Sequence, residues 1–248
     1  MSERDQRRHL GSAFEQGGAD YERLRPGYPS DAVAWMLEGT PEGMVADIGA
    51  GTGKLTRSLV ESGREVVAVE PSRDMLDSLS AHHPDVEARL GAGEKTGLEA
   101  ASVAAVVYGQ AWHWVEPEAG CAEAARILRP GGTLGLIWNF MDLEDPAVAA
   151  FNRAMHVLDP DLADRADSSD DVTAPFTGRE VARFSWTWQI TTADLADLVT
   201  TRSYYLTAST AQREQIDADV ATFLDDHFRH LETIDLPYRT HCFRAALG

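Results

Sequence analysis

From about residue 30 to residue 140, short apolar runs alternate with stretches whose apolar residues recur every three to four positions. That alternation predicts strands interleaved with helices, and hence a parallel sheet covered by helices on both faces. Met44 to Ile48 reads as the first strand, and Leu55, Leu59 and Val60 mark one face of the helix behind it. Glu65 to Glu70 is the second strand, after which Pro71-Ser72 opens a helix carrying Met75, Leu76 and Leu79 on one side. Val86 to Leu90 is a weaker third strand. Val103 to Tyr108 is the fourth, with the near-continuous apolar character that burial on both faces requires. Ala122, Ala125 and Leu128 mark the next helix, which Pro130-Gly131-Gly132 ends before a fifth strand, Thr133 to Asn139.

Beyond Asn139 the pattern changes. Residues 142–178 begin as a helix (Val148, Phe151, Met155) and continue as an acidic loop. Phe184 to Ile190 alternates apolar with polar and predicts a half-exposed strand. Ser209-Thr210-Ala211-Gln212 has the form of a capping box, followed by a helical stripe of Ile216, Val220, Phe223, Leu224, Phe228 and Leu231. Leu236 to Phe243 reads as a last strand. No linker rich in Gly, Ser or Pro separates domains, so residues 1–248 read as a single domain. Its parts are a core at 30–140, an insertion at 142–178, and C-terminal strands and helices at 180–248.

Composition narrows the function classes. A chain of 248 residues, 44% hydrophobic, can bury one sizeable core. Its net charge of −18 repels polyphosphate and anionic lipid, which argues against nucleic acid or a membrane as partner. Cys121 and Cys242 cannot make a disulfide framework, and no Cys/His spacing matches a zinc site. The dense aspartates between Asp159 and Asp171 lack the glycine of a calcium loop, so no metal is expected. The first residues lack the apolar stretch of a signal peptide, and the charge-free run from Ala100 to Val115 is too short to span a bilayer. A cytoplasmic protein acting on a small molecule is the expectation.

The chemistry concentrates in Val45-Ala46-Asp47-Ile48-Gly49-Ala50-Gly51-Thr52-Gly53-Lys54-Leu55, at the carboxyl end of the first strand. Glycines there allow a tight turn and close approach of a ligand to the backbone. A dinucleotide fingerprint would place its third glycine where Lys54 stands, and no Gly-Lys-Ser/Thr follows for a phosphate loop. Asp47, just before the loop, would oppose a pyrophosphate but complement an ammonium. Glu70 ends the second strand, where a carboxylate can accept hydrogen bonds from both hydroxyls of a ribose. Together these features point to an unphosphorylated, positively charged adenosine derivative.

This constellation resembles the class I S-adenosylmethionine-dependent methyltransferases, and within them the ubiquinone/menaquinone-biosynthesis-like and trans-aconitate-methyltransferase-like branch. The motifs that carry the resemblance are VADIGAGTGKL, VVAVEPSRDML, LGAGE, VVYGQAWHWV and ARILRPGGTLGLIWN, with looser similarity in TRSYYLT and LPYRTHCFRA. The resemblance implies a Rossmann-like, seven-stranded, mostly parallel sheet whose last hairpin, the Phe184 and Leu236 strands, is antiparallel. It places Asp47, Gly49, Ala50 and Gly51 against the methionyl end of S-adenosylmethionine, Glu70 on its ribose and Pro71 beside its adenine. Ala92 and Gly93 take the adenine-edge position through backbone donors alone, and Gln110 touches the methionyl portion through its backbone. The segment at 1–29 corresponds to an N-terminal lid, in which Tyr21 and Arg25 are the candidates, Arg25 for the cofactor carboxylate.

Methyl transfer from a sulfonium needs orientation above all, and a base where the acceptor must lose a proton. His113, after the fourth strand, is the candidate base; Trp112 and Trp114 are candidate walls of an apolar acceptor pocket. No Asn/Asp-Pro-Pro-Tyr follows the fourth strand, which favours oxygen or carbon over nitrogen as the methylated atom. Two alternatives remain on sequence alone. One is a relative that binds the cofactor without catalysis, because His113 is the single evident base. The other is a nicotinamide-dependent oxidoreductase, against which Lys54 and Asp47 both speak.

Overall fold

The computed structural model describes residues 22–156 and 171–248. Seven strands, β1 (Val45–Ile48), β2 (Val66–Glu70), β3 (Glu87–Leu90), β4 (Val103–Gly109), β5 (Leu128–Met141), β6 (Phe176–Thr191) and β7 (Thr233–Leu247), form one sheet ordered β3-β2-β1-β4-β5-β7-β6. β1 pairs in parallel with β2 and β4, β2 with β3, and β4 with β5. The last hairpin is antiparallel. Every residue of β1 and β2 is buried, as is β4 up to Tyr108, which is why these strands carry apolar runs without alternation. The helices are α1 (Ser30–Met36), α2 (Lys54–Glu61), α3 (Arg73–His82), α4 (Pro117–Ile127), α5 (Pro146–Ala154), α6 (Thr192–Thr200), α7 (Ser203–Thr207) and α8 (Thr210–Phe228).

Local chemistry sets the helix starts. The Ser72 hydroxyl accepts from the Met75 N–H at 3.4 Å, and Glu116 accepts from the Ala119 N–H at 2.9 Å. The predicted capping box is present: Ser209 accepts from the Gln212 N–H, and the Gln212 side chain accepts from the Ser209 N–H at 2.9 Å.

Three expectations need correction. Leu128, assigned to the helix, begins β5, and Pro130-Gly131-Gly132 lies inside that strand. Where Val103 and Ala105 of β4 meet Leu128 and Thr133, the surplus residues bulge out through Gly131 at φ 74°. β6 starts at Phe176, earlier than residue 184, because its first half is exposed on both faces and has no periodicity to read. Val60 and Leu231, placed on apolar helix faces, are exposed. The acidic stretch from Asp159 lies largely outside the described residues.

The chain divides into two compact units. One comprises Gly27–Asn139, Arg165–Phe184 and Thr240–Gly248. Its core joins Ala32, Val33 and Met36 of α1 and Leu55 and Leu59 of α2 to Val45, Ala105, Val107 and Ile137 of the sheet. A Cβ on Gly135 would lie 2.6 Å from Met36 Cγ, so this glycine makes the room for α1. The other unit comprises the chain up to Pro26, Phe140–Asp164 and Ser185–Arg239. Its core contains Leu24, Phe151, Leu195, Leu198, Val220, Phe223 and Tyr238. Among the described residues no helix is long and apolar enough to cross a membrane.

Candidate active site

β1 runs out at Ile48 into a bend with three left-handed glycines: Gly49 at φ 68°, Gly51 at φ 57° and Gly53, the N-cap of α2, at φ 96°. Their surroundings give them different jobs. A Cβ on Gly49 would lie 2.6 Å from Ala111 Cβ, and one on Gly53 would lie 2.7 Å from His83 Cδ2. Both positions pack the protein against itself. A Cβ on Gly51 would meet nothing within 4 Å. The middle of the bend therefore lies open, and there a ligand can approach the backbone.

Glu70 ties this bend to the second strand. Its Oε2 accepts from the Gly51 N–H at 2.8 Å and its Oε1 from the Ser72 N–H at 2.9 Å. The side chain is mostly covered, and burial raises its pKa above the ordinary carboxylate value, with the two N–H donors pulling the other way. Each oxygen retains a lone pair for a further donor. The acid read from the sequence as a ribose ligand is thus also the anchor of the loop.

Asp47 departs from its expected role. It has no exposed surface; its Oδ2 accepts from the Thr56 hydroxyl at 2.6 Å, and its Oδ1 is buried without a hydrogen-bond partner. Burial pushes its pKa up to about 7 from 3.8, the nearby Glu70 charge adding to the rise and Thr56 opposing it. A carboxyl so enclosed presents no exposed oxygen to a ligand. Because the folded pKa is raised, the folded state binds this proton more tightly than the unfolded chain does. Asp47's contribution to stability therefore falls as pH climbs from about 4 to about 7, by roughly 4 kcal/mol in the limit. Asp47→Asn is expected to gain on the parent protein in melting temperature between pH 5 and pH 8; a constant gap would refute the buried-acid account.

Among the remaining candidates, Pro71 is exposed beside Glu70. Ala92 and Gly93 supply less than expected: the Ala92 N–H is taken by the Lys95 carbonyl at 3.1 Å, and Gly93 is buried, its missing side chain making room for Val115. Glu123 of α4 holds this turn by accepting the Thr96 N–H at 2.8 Å, and its hydrogen bonds with Arg126 and Thr96 hold its pKa down at about 2. Gln110 stands in the left-handed region at φ 56°, its N–H on the Ile137 carbonyl at 2.9 Å and its Nε2 on the Asn139 carbonyl at 2.8 Å. The fourth strand thus ends in a strained, doubly fastened residue. Trp112 is corrected from pocket wall to core: it is 1% exposed, edge-on to Tyr108 and packed over Gly120. His113 is half-buried with its ring 4.5 Å from that of Trp114, which is exposed. Arg25 belongs to the other compact unit, where its Nε and Nη2 donate to the Thr201 hydroxyl and carbonyl. Tyr21 lies outside the described residues.

A family model described as a methyltransferase domain matches residues 46–136, the stretch that holds the glycine bend, Glu70 and Gln110. A protein of Mycobacterium bovis, named only as an uncharacterized methyltransferase, is 40% identical over 244 residues, spanning 98% of each chain. The chain belongs to the class I S-adenosylmethionine-dependent methyltransferases. An uncharacterized methyltransferase of Schizosaccharomyces pombe is 37% identical over 143 residues, 56% of this chain and 57% of that one. A solved structure from Anaeromyxobacter dehalogenans, whose name proposes a type II methyltransferase, superposes with a TM-score of 0.68 at 25% identity, covering 90% of this chain and 97% of that one.

In this methyltransferase the residues fit the family's cofactor at two points: the open face at Gly51 and the residual acceptor capacity of Glu70. Sequence reasoning missed Thr56, which holds Asp47 from within α2, and Asn139, which receives Gln110. Asn139 is itself fixed by the Gly27 carbonyl at 2.8 Å and the Thr240 hydroxyl at 2.6 Å. Thr56 could have been suspected as a polar residue on the helix's apolar side; Asn139 only as the polar end of an apolar strand.

Proposed function

We propose that this methyltransferase modifies a small molecule at oxygen or carbon, with Glu70 on the cofactor ribose and the Gly49-Ala50-Gly51 bend against its methionyl portion. The observation that carries the cofactor assignment is the open face of Gly51 beside a carboxylate that binds the same residue's N–H. S-adenosylmethionine, when bound, supplies a methyl group on a sulfonium, already activated for transfer. The chain's share is to hold and orient, which in well-aligned systems is worth about 7–11 kcal/mol. Asp47 and Thr56 set the loop from beneath, and Pro71 borders the adenine.

The acceptor assignment rests on the residues after β4. No acid stands at 109 or 110 and no Asn/Asp-Pro-Pro-Tyr clamp for an amino group follows β4, the Gln110 amide is fastened to Asn139, and the net charge of −18 opposes polyphosphates. His113 takes the proton where the acceptor must lose one, and Trp114 borders the acceptor. The whole chain acts as one methyltransferase domain.

Methyl-labelled S-adenosylmethionine offered with mixed acceptors should place label in alcohols, phenols, carboxylic acids or carbon acids. Label confined to amines, protein or nucleic acid would overturn the acceptor class. His113→Gln should lower kcat by about 10²-fold or more without changing S-adenosylhomocysteine affinity; an unchanged kcat removes His113 from the chemistry.

A further inference from the structure

The unit that contains α5 to α8 holds a set of polar side chains to which the proposed function gives no role. Arg202 is the N-cap of α7 and Tyr204 lies in its first turn. The Arg202 Nε and the Tyr204 hydroxyl are both buried, and neither has a hydrogen-bond partner among the described residues. Tyr238 of β7 is 3% exposed, and Arg202 donates toward its hydroxyl. Arg25 is fixed alongside by Thr201, through bonds of 3.1 and 2.7 Å. Burial raises both phenols above the ordinary tyrosine range, and the positive charges of Arg202 and Arg25 pull both back. Trp186 and Trp188, alternate residues of β6, approach Tyr238 with ring centroids at 5.5 and 6.0 Å.

The two orphaned atoms want the same thing. A guanidinium N–H can only donate, and a phenol beside it donates in turn when an acceptor is offered. Buried donors left without acceptors are rare in folded proteins and call for an explanation. Two donors on residues two apart, under two positive charges, call for an anion with more than one oxygen. A carboxylate has that form, its planar pair of oxygens matching the planar guanidinium fork. The tryptophans suit a flat apolar body, and the protein's net charge of −18 selects against a multiply charged ligand. We propose that Arg202, Tyr204 and Tyr238, with Arg25 beside them, bind the carboxylate of a small, flat, singly charged organic acid whose body lies against Trp186 and Trp188.

Calorimetric titration of the full chain with cinnamate, and in parallel with cinnamamide, tests this directly. Saturable binding of the acid at least about tenfold tighter than of the amide is expected; equal binding of the two, or none, overturns the proposal. Arg202→Gln should weaken cinnamate by about tenfold or more. Tyr204→Phe should weaken it less while keeping or raising the melting temperature, since it deletes an orphaned hydroxyl. If Arg202→Gln fails to fold, Arg202→Lys and Tyr204→Phe decide, and unchanged affinity in both refutes the site. The titration repeated in saturating S-adenosylhomocysteine should give the same affinity. Displacement by it would assign the anion to the cofactor's own carboxylate and overturn the proposal.

Discussion

Gly51→Ala is expected to lose at least about 100-fold in affinity for S-adenosylhomocysteine, on the order of 3 kcal/mol, while the protein stays folded. The added methyl meets no protein atom within 4 Å, so the fold bears only the left-handed backbone at φ 57°. That penalty is about 1–2 kcal/mol, a few degrees of melting temperature for a chain of this size. The methyl instead occupies the space through which a ligand reaches the backbone. Gly49→Ala provides the contrast, because its methyl would lie 2.6 Å from Ala111 Cβ. There overpacking adds to the same backbone strain, and a loss of about 2–5 kcal/mol in stability is expected. Calorimetry and thermal melts on the two variants separate obstruction from unfolding. If Gly51→Ala binds as tightly as the parent, the bend is not the cofactor's cradle.

Glu70→Ala should damage both binding and stability. Its carboxylate accepts from Gly51 and Ser72 at once, so truncation strands two N–H groups and frees the bend from the second strand. At about 1–3 kcal/mol for each donor left unsatisfied, a drop of roughly 5–15 °C is expected. Affinity for S-adenosylhomocysteine should fall at least about 100-fold, through loss of the sugar contact and of loop order together. Glu70→Gln keeps one accepting oxygen but turns an amide toward one of the two N–H groups, and should fall between the parent and Glu70→Ala on both measures. A Glu70→Ala protein that binds normally would mean that the sugar is held elsewhere.

The parts of this molecule visible in its sequence are those governed by backbone geometry. Gly49, Gly51 and Gly53 are there because the chain must turn left-handed, and Glu70 ends a strand whose length its apolar run fixes. The central strands announce themselves for the same reason, since burial on both faces leaves no polar positions. What stayed hidden depends on contacts between residues far apart in sequence. Nothing local distinguishes Trp112, sealed against Tyr108 and Gly120, from Trp114, which is exposed two positions later. The hydrogen bond from Thr56 to Asp47 is a pairing set by how α2 packs. The first half of β6 has an exposed surface on both sides and therefore no pattern. Arg202 caps, and Tyr204 sits in, a helix of five residues, too short to show a period.

The two compact units are interleaved: each is assembled from three stretches of chain, and β5, β6 and β7 each pass from one to the other without a break. No single cut in the polypeptide releases either unit whole. Neither unit could be transplanted between relatives by exchanging one contiguous piece, because three of the junctions fall inside a strand. Chimeras cut at one site should therefore be insoluble where point variants are not.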